Sequence, residues 1–135
     1  MSALFAEIRL DGAPAGDLST LFRASAEPPG DGDTVRSWDW AALGCRAFWS
    51  TPEEIGERQP LMDPSGRSAL LFDGRLDNRE ELVRELGLSG EEAARTSDAA
   101  LVLRCLAGGW DALERFLGPW ALLLLDLRSR EAHLA

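Results

Sequence analysis

The stretch from Phe72 to Leu82 constrains the fold more than any other part of the chain. The apolar segment that leads into it, Ser68 to Phe72, has the length of a β-strand. Asp73-Gly74 follows as a turn signal, and Asn78 with Glu81 three residues later has the spacing of a helix capping box. The stretch therefore predicts a strand, a tight turn and a helix, with Gly87 as the C′ residue after the helix. Such a turn often forms part of a pocket that holds a small polar substrate against backbone N–H groups.

The other segments show short strand-like and helix-like patterns with turn residues between them. The predicted strands are Ala3 to Leu10, Val35 to Trp40, Leu43 to Trp49, Trp120 to Leu125 and Ala132 to Ala135. The further predicted helices are centred on Leu18 to Phe22, on Ser97 to Gly109 with Ser97 as its N-cap, and on Trp110 to Leu117. The run from Trp120 is apolar throughout, which indicates a strand buried on both faces. Strands at both ends with helices grouped between them predict an α+β layered sandwich.

Composition narrows the classes of function. A chain of 135 residues makes one domain, and its net charge of −9 argues against a nucleic-acid partner. Cys45 and Cys105 stand alone in the sequence, so we expect two buried small apolar groups. Their spacing argues against a zinc site and against a disulfide-rich secreted scaffold. The chain shows no secretion signal, and its apolar runs are too short to cross a membrane, so a cytoplasmic location is predicted.

Seven short motifs occur in an order that, taken together, is specific. They resemble the class II glutamine amidotransferase domain, which forms the N-terminal half of asparagine synthetases. The motifs are Met1-Ser2, Leu43-Gly44-Cys45-Arg46, Gln59-Pro60, Phe72 to Asn78, Ser97-Asp98, Gly108 to Leu113 and Gly118 to Asp126.

The resemblance implies an αββα sandwich of two antiparallel sheets, of the N-terminal-nucleophile type. In that family the first cysteine attacks the glutamine side-chain amide, and its free α-amine serves as the base. No histidine is needed, so His133 is expected to be an ordinary strand residue. Ser2 stands in place of the cysteine, and its α-amine becomes free only if Met1 is removed. The small Ser2 side chain is compatible with that removal.

The same comparison assigns roles to four more residues. Asp73 replaces the oxyanion-hole asparagine, and the Gly74 N–H is the second donor. Arg46 matches the ligand of the substrate α-carboxylate, and Asp98 matches the ligand of its α-ammonium. Simpler interpretations stay open at this point. Asp73-Gly74 is a common turn pair, Arg46 has many carboxylates to pair with, and an acidic residue such as Asp98 is favoured in the first turn of a helix.

These substitutions predict a degenerate, catalytically silent domain that serves as a scaffold. Its parent would be an ATP-dependent, asparagine-synthetase-like amide-forming enzyme, such as a β-lactam synthetase or a lasso-peptide macrolactam cyclase. Residues 1–135 are then the N-terminal domain of a larger protein, with the sandwich incomplete after Ala135. This domain would need no cofactor, because ATP and Mg²⁺ would bind the C-terminal adenylating domain. Two alternatives are an active glutaminase with Ser2 as nucleophile, and a non-catalytic module that binds a free amino acid such as glutamine.

Overall fold

The computed structural model describes residues 2–25 and 28–135. Within these residues seven strands and four α-helices form, with short 3₁₀ helices at Pro52–Glu54 and Trp110–Arg115. The strands are β1 (Ala3–Ile8), β2 (Gly32–Ser37), β3 (Ala41–Ala47), β4 (Leu61–Met62), β5 (Ser68–Gly74), β6 (Trp120–Asp126) and β7 (Glu131–Leu134). The helices are α1 (Ser19–Ala24), α2 (Arg79–Glu85), α3 (Gly90–Ala94) and α4 (Asp98–Leu106).

The strands of the described residues form two antiparallel sheets. The first sheet has the order β1-β3-β2, and the second has the order β4-β5-β6-β7. Strand β3 is central in the first sheet, and β5 and β6 are central in the second. The predicted α+β class with two antiparallel sheets is confirmed.

Side-chain alternation along β5 shows how the layers stack. Leu70 and Phe72 pack with residues of α2 and α4, whereas Ala69 and Leu71 pack against the first sheet. Because successive side chains of a strand point to opposite faces, β5 is buried on both sides. Its partner β6 behaves in the same way, with Leu122 in the helical cluster and Leu125 between the sheets. The predicted double burial of this strand is confirmed.

Strand β3 makes the corresponding contacts on the first sheet. Leu43 and Cys45 face the second sheet, while Ala42 packs under Leu18 and Phe22 on the outer face. Gly44 lies under the Phe22 ring, and a Cβ added at Gly44 would stand 2.6 Å from a ring carbon. The absence of a side chain at Gly44 therefore lets helix α1 lie close to the sheet. The order of layers is helix, sheet, sheet, helices.

The helix termini match the sequence in part. The Ser97 hydroxyl accepts a hydrogen bond from the Ala100 N–H at 3.1 Å, which confirms it as the N-cap of α4. Gly87 has φ +67° just after α2, as expected for a C′ glycine. The predicted Asn78 capping box is wrong, because the Asn78 amide joins the 115–117 segment instead, donating to the Arg115 carbonyl at 2.8 Å. The capping box of this region is formed by Ser89 at α3, which the sequence analysis missed.

Three further predictions need correction. The strand predicted at Val35 to Trp40 is β2, which ends at Ser37 because the Trp38 N–H bonds the Ala41 carbonyl and closes a turn into β3. The helix predicted from Trp110 is a 3₁₀ helix. Asp73-Gly74 does not form the tight turn itself, since both residues still pair with β6 at the end of β5.

Within the described residues, no helix combines the length and the apolar composition that a membrane span requires.

Candidate active-site cleft

A cleft of about 510 Å³ opens where the ends of β3, β5 and β6 meet the residue that precedes β1. The loop between β3 and β4 and the start of α4 complete its wall. Four of the five predicted site residues line this cleft: Ser2, Asp73, Gly74 and Asp98. Residues up to 96 positions apart in the sequence are thus brought to one cavity.

Ser2 and Asp73 contact each other directly. The main-chain nitrogen of Ser2 donates a hydrogen bond to Asp73 Oδ1, in a half-buried position between the sheets. The Ser2 hydroxyl oxygen accepts a hydrogen bond from the Phe48 N–H at 3.2 Å. The main-chain nitrogen and the hydroxyl of Ser2 are therefore both held, and a carboxylate occupies the position where the resemblance implies an amide donor.

Gly74 is required by the backbone at the end of β5. Its φ is +145°, and a Cβ at this position would lie 2.5 Å from both the Pro119 carbonyl oxygen and the Trp120 Cα. Only glycine tolerates this combination of dihedral angle and close approach. A role as an oxyanion donor is compatible with the cleft position, but packing alone accounts for the residue.

Asp98 begins α4 and makes two strong contacts. Its Oδ1 accepts from Arg79 Nη1 at 2.6 Å, and its Oδ2 accepts from the Leu76 N–H at 2.8 Å. Arg79 also donates to the carbonyl of Ala93 at 2.7 Å and to the carbonyl of Thr96, so Arg79 ties α2 to α3 and to the α3–α4 connection. These contacts favour the structural interpretation of Asp98, and its role as an ammonium ligand stays a prediction.

Arg46 is the predicted site residue that the structure does not bring to the cleft. Cys45 and Ala47 line the cleft, whereas the Arg46 side chain lies on the opposite face of β3. There it binds Asp33, with Nη2 to Oδ2 at 3.0 Å, and stacks over the Phe22 ring at 5.4 Å from the centroid. The position suits an ion pair on the outer face, and it separates Arg46 from Ser2 by the thickness of the sheet.

A network around Glu57 was missed by the sequence analysis. Gln59 is 8% exposed, accepts from the Phe72 N–H at 2.7 Å and donates to Glu57 Oε1 at 3.1 Å. The Ser97 hydroxyl donates to Glu57 Oε2. The network fixes the end of β5 and the start of α4 against the β3–β4 loop. Its one visible signal was the Gln59-Pro60 motif, because Glu57 is indistinguishable in sequence from the other acidic residues nearby.

The Cys45 side chain contributes a thiol to the cleft wall, and its environment keeps this thiol protonated. Burial raises the pKa of Cys45 to about 12, and the Glu57, Asp73 and Asp33 carboxylates act in the same direction, while the Ser2 hydroxyl opposes them. Since the thiolate is the reactive form of cysteine, this thiol is a poor nucleophile at neutral pH.

The Glu57 carboxyl predicts a pH dependence of stability. Burial raises the pKa of Glu57 above the ordinary 4.5, and the nearby Glu54 and Asp98 carboxylates raise it further. The hydrogen bonds from Ser97 and Gln59 lower the pKa but do not cancel the effect of burial. Its contribution to stability is greatest below the unfolded pKa and falls as pH rises through the folded pKa. The Tm difference, Glu57→Gln minus wild type, is therefore expected to become more positive as the pH is raised from about 4 to about 8. Thermal unfolding followed by circular dichroism measures this, and a constant difference would contradict it.

Among the described residues, no group of three or more histidine, cysteine, aspartate or glutamate side chains is arranged to hold a metal ion.

A family model described as a glutamine amidotransferase domain matches residues 49–135, which is more than half of the chain. The matched segment contains Glu57, Asp73, Gly74 and Asp98, and it begins after Ser2 and β3. A search of the curated proteins found no match.

Proposed function

Because the chain belongs to the family of glutamine amidotransferase domains, we propose that it is a degenerate member whose cleft does not hydrolyse glutamine. One observation carries the proposal: Asp73 presents a carboxylate to the cleft and binds the main-chain nitrogen of Ser2. An amide donor at this position would stabilise the oxyanion that forms when the substrate carbonyl is attacked, whereas a carboxylate repels it. Losing one such donor costs about 10²–10³ in rate.

The nucleophile position supports the same conclusion. A serine hydroxyl attacks an amide only with the help of a well-placed base. The base that the family uses is the α-amine, and here the nitrogen of Ser2 is bound to Asp73. In this proposal the cleft keeps its shape, while the nucleophile at Ser2 and the oxyanion donor at Asp73 are both replaced.

We further propose that the domain is a scaffold for an adenylating synthetase domain, the partner that would bind ATP and Mg²⁺. In this view residues 1–135 are the N-terminal part of a cytoplasmic, asparagine-synthetase-like amide-forming protein. When the attacking amine belongs to the substrate itself, as in macrolactam or β-lactam formation, no ammonia is needed. A glutaminase site can then lose its chemistry while its contacts with the partner domain are kept.

Ammonia release from glutamine tests the proposal. We expect the wild-type chain and its Ser2→Ala variant to release ammonia at the same rate as buffer, in a coupled glutamate dehydrogenase assay. Ammonia release that Ser2→Ala abolishes would contradict the proposal and support a serine-dependent glutaminase. Isothermal titration with glutamine distinguishes the remaining alternative, because a measurable binding heat without turnover would indicate an amino-acid-binding module.

A further inference from the structure

The two residues of β3 that border the cleft, Cys45 and Ala47, are uncharged. Arg46 lies between them, but its side chain is ion-paired on the outer face of the sheet. Ala47 is the last residue of β3, and the N–H of the next residue, Phe48, binds the Ser2 hydroxyl at 3.2 Å. A longer side chain at position 47 would therefore enter the cleft close to Ser2.

The charges that line the cleft are mainly negative. Four carboxylates belong to its wall: Glu54, Glu57, Asp73 and Asp98. Among the described residues of this wall, Arg75 is the one cation, and its guanidinium points to solvent and binds Asp77 at 2.7 Å. An ion pair with Arg79 offsets the charge of Asp98. The other three carboxylates then make the cleft negative.

The Cys45 thiol shows the effect of this charge next to Ala47. Burial is the main reason that the pKa of Cys45 rises to about 12, and the Glu57 and Asp73 carboxylates of the cleft contribute to the rise. The same two carboxylates would repel the α-carboxylate of an amino acid at this wall. An anion is bound in a partly buried site only when a cation or several N–H donors compensate for its lost hydration.

We propose that the cleft rejects ligands with an α-carboxylate and admits small primary amines that lack one, and that Ala47 determines this preference. The cleft volume of about 510 Å³ suits a small molecule. The carboxylates attract an ammonium group, and the rings of Phe48, Trp49 and Trp120, which also line the cleft, are of the kind that binds cations. The inference goes beyond the proposed function, because it concerns which ligands enter the cleft and not whether glutamine is hydrolysed.

Three ligands with the same side chain test the proposal. Glutaminamide, glutamine and N-acetylglutamine are a cation, a zwitterion and an anion at about pH 6.5. Isothermal titration of the full chain measures the Kd of each. We expect glutaminamide to bind about tenfold more tightly than glutamine, and N-acetylglutamine to give no binding heat. One contact between like charges near a protein surface is enough for a change of this size.

The Ala47→Arg variant tests the role of this position. A guanidinium on the cleft side of β3 would pair with an α-carboxylate, so we expect the preference for glutaminamide over glutamine to fall about tenfold. Val35→Arg is the matched control, because it adds the same charge on the outer face of the first sheet, where Val35 is 50% exposed. That variant should keep the wild-type preference. Circular dichroism verifies that both variants are folded, and the wild-type titrations need no variant.

Glutamine that binds the wild-type chain as tightly as glutaminamide would overturn the proposal, and so would the absence of binding by glutaminamide. Equal preferences in folded Ala47→Arg and Val35→Arg would overturn the role of Ala47. None of these results depends on turnover, so with ammonia release absent the proposed function would still stand. Ammonia release that Ser2→Ala abolishes would contradict the proposed function and leave the ranking of the three ligands as the separate test of this inference.

Discussion

Replacing Asp73 with asparagine in a Ser2→Cys background is expected to raise kcat/KM for glutamine hydrolysis ~100-fold over that of Ser2→Cys alone. A thiol at position 2 supplies a better nucleophile, but the Asp73 carboxylate would still face the developing oxyanion and bind the α-nitrogen. The asparagine amide removes the negative charge and adds an N–H donor. One oxyanion donor is typically worth about 10²–10³ in rate.

The measurement is kcat/KM for ammonia release from glutamine, with removal of Met1 verified by mass spectrometry in both proteins. Asp111→Asn in the same Ser2→Cys background is the matched control, and it is expected to leave the rate unchanged. Equal rates with and without Asp73→Asn would show that Asp73 is not at the oxyanion position. In that case the degenerate-site proposal would lose its main support.

The layered fold follows from patterns that a sequence displays locally. The apolar run at β6 predicted a strand buried on both faces, and the apolar run at β5 predicted a strand. The structure places both between the first sheet and the helices. Ser97 and Gly87 were predictable because an N-cap and a C′ residue act within a few residues of a helix end. The Asn78 prediction failed for the opposite reason: its amide bonds the Arg115 carbonyl, 37 residues away.

The residues that meet in the cleft could not be predicted from their spacing in the sequence. Ser2 and Asp73 lie 71 residues apart in the sequence. Before the structure, only the family resemblance predicted that they share a site. Arg46 shows how a single position decides a role, because adjacent residues of a strand face opposite sides. The Leu-Gly-Cys-Arg motif lies on β3, which borders the cleft, but the cleft receives the side chains of Cys45 and Ala47. Glu57 was unpredictable because its burial depends on loops that meet only in the folded chain.

Gly74→Ala is expected to destabilise the folded chain by about 3 kcal/mol and to lower the Tm by about 10 °C. The added Cβ would stand 2.5 Å from the Pro119 carbonyl oxygen, and alanine strongly disfavours φ +145°. These backbone atoms belong to the start of β6 and the turn before it, so relief of the clash must displace the β5–β6 pairing at the cleft. The effect is on packing, and it is expected whether or not the Gly74 N–H contacts a ligand.

Thermal and urea unfolding of Gly74→Ala measure this cost, with Gly90→Ala as the control. A Cβ at Gly90, in the first turn of α3, meets no heavy atom within 4 Å, so that variant should match the wild type or gain up to about 1 kcal/mol. A Gly74→Ala protein as stable as Gly90→Ala would contradict the strained close approach at the end of β5. If Gly74→Ala is destabilised, a loss of ligand binding in this variant reports distortion of the cleft. Whether the Gly74 N–H donates to a ligand is then tested with a ligand that lacks the accepting oxygen.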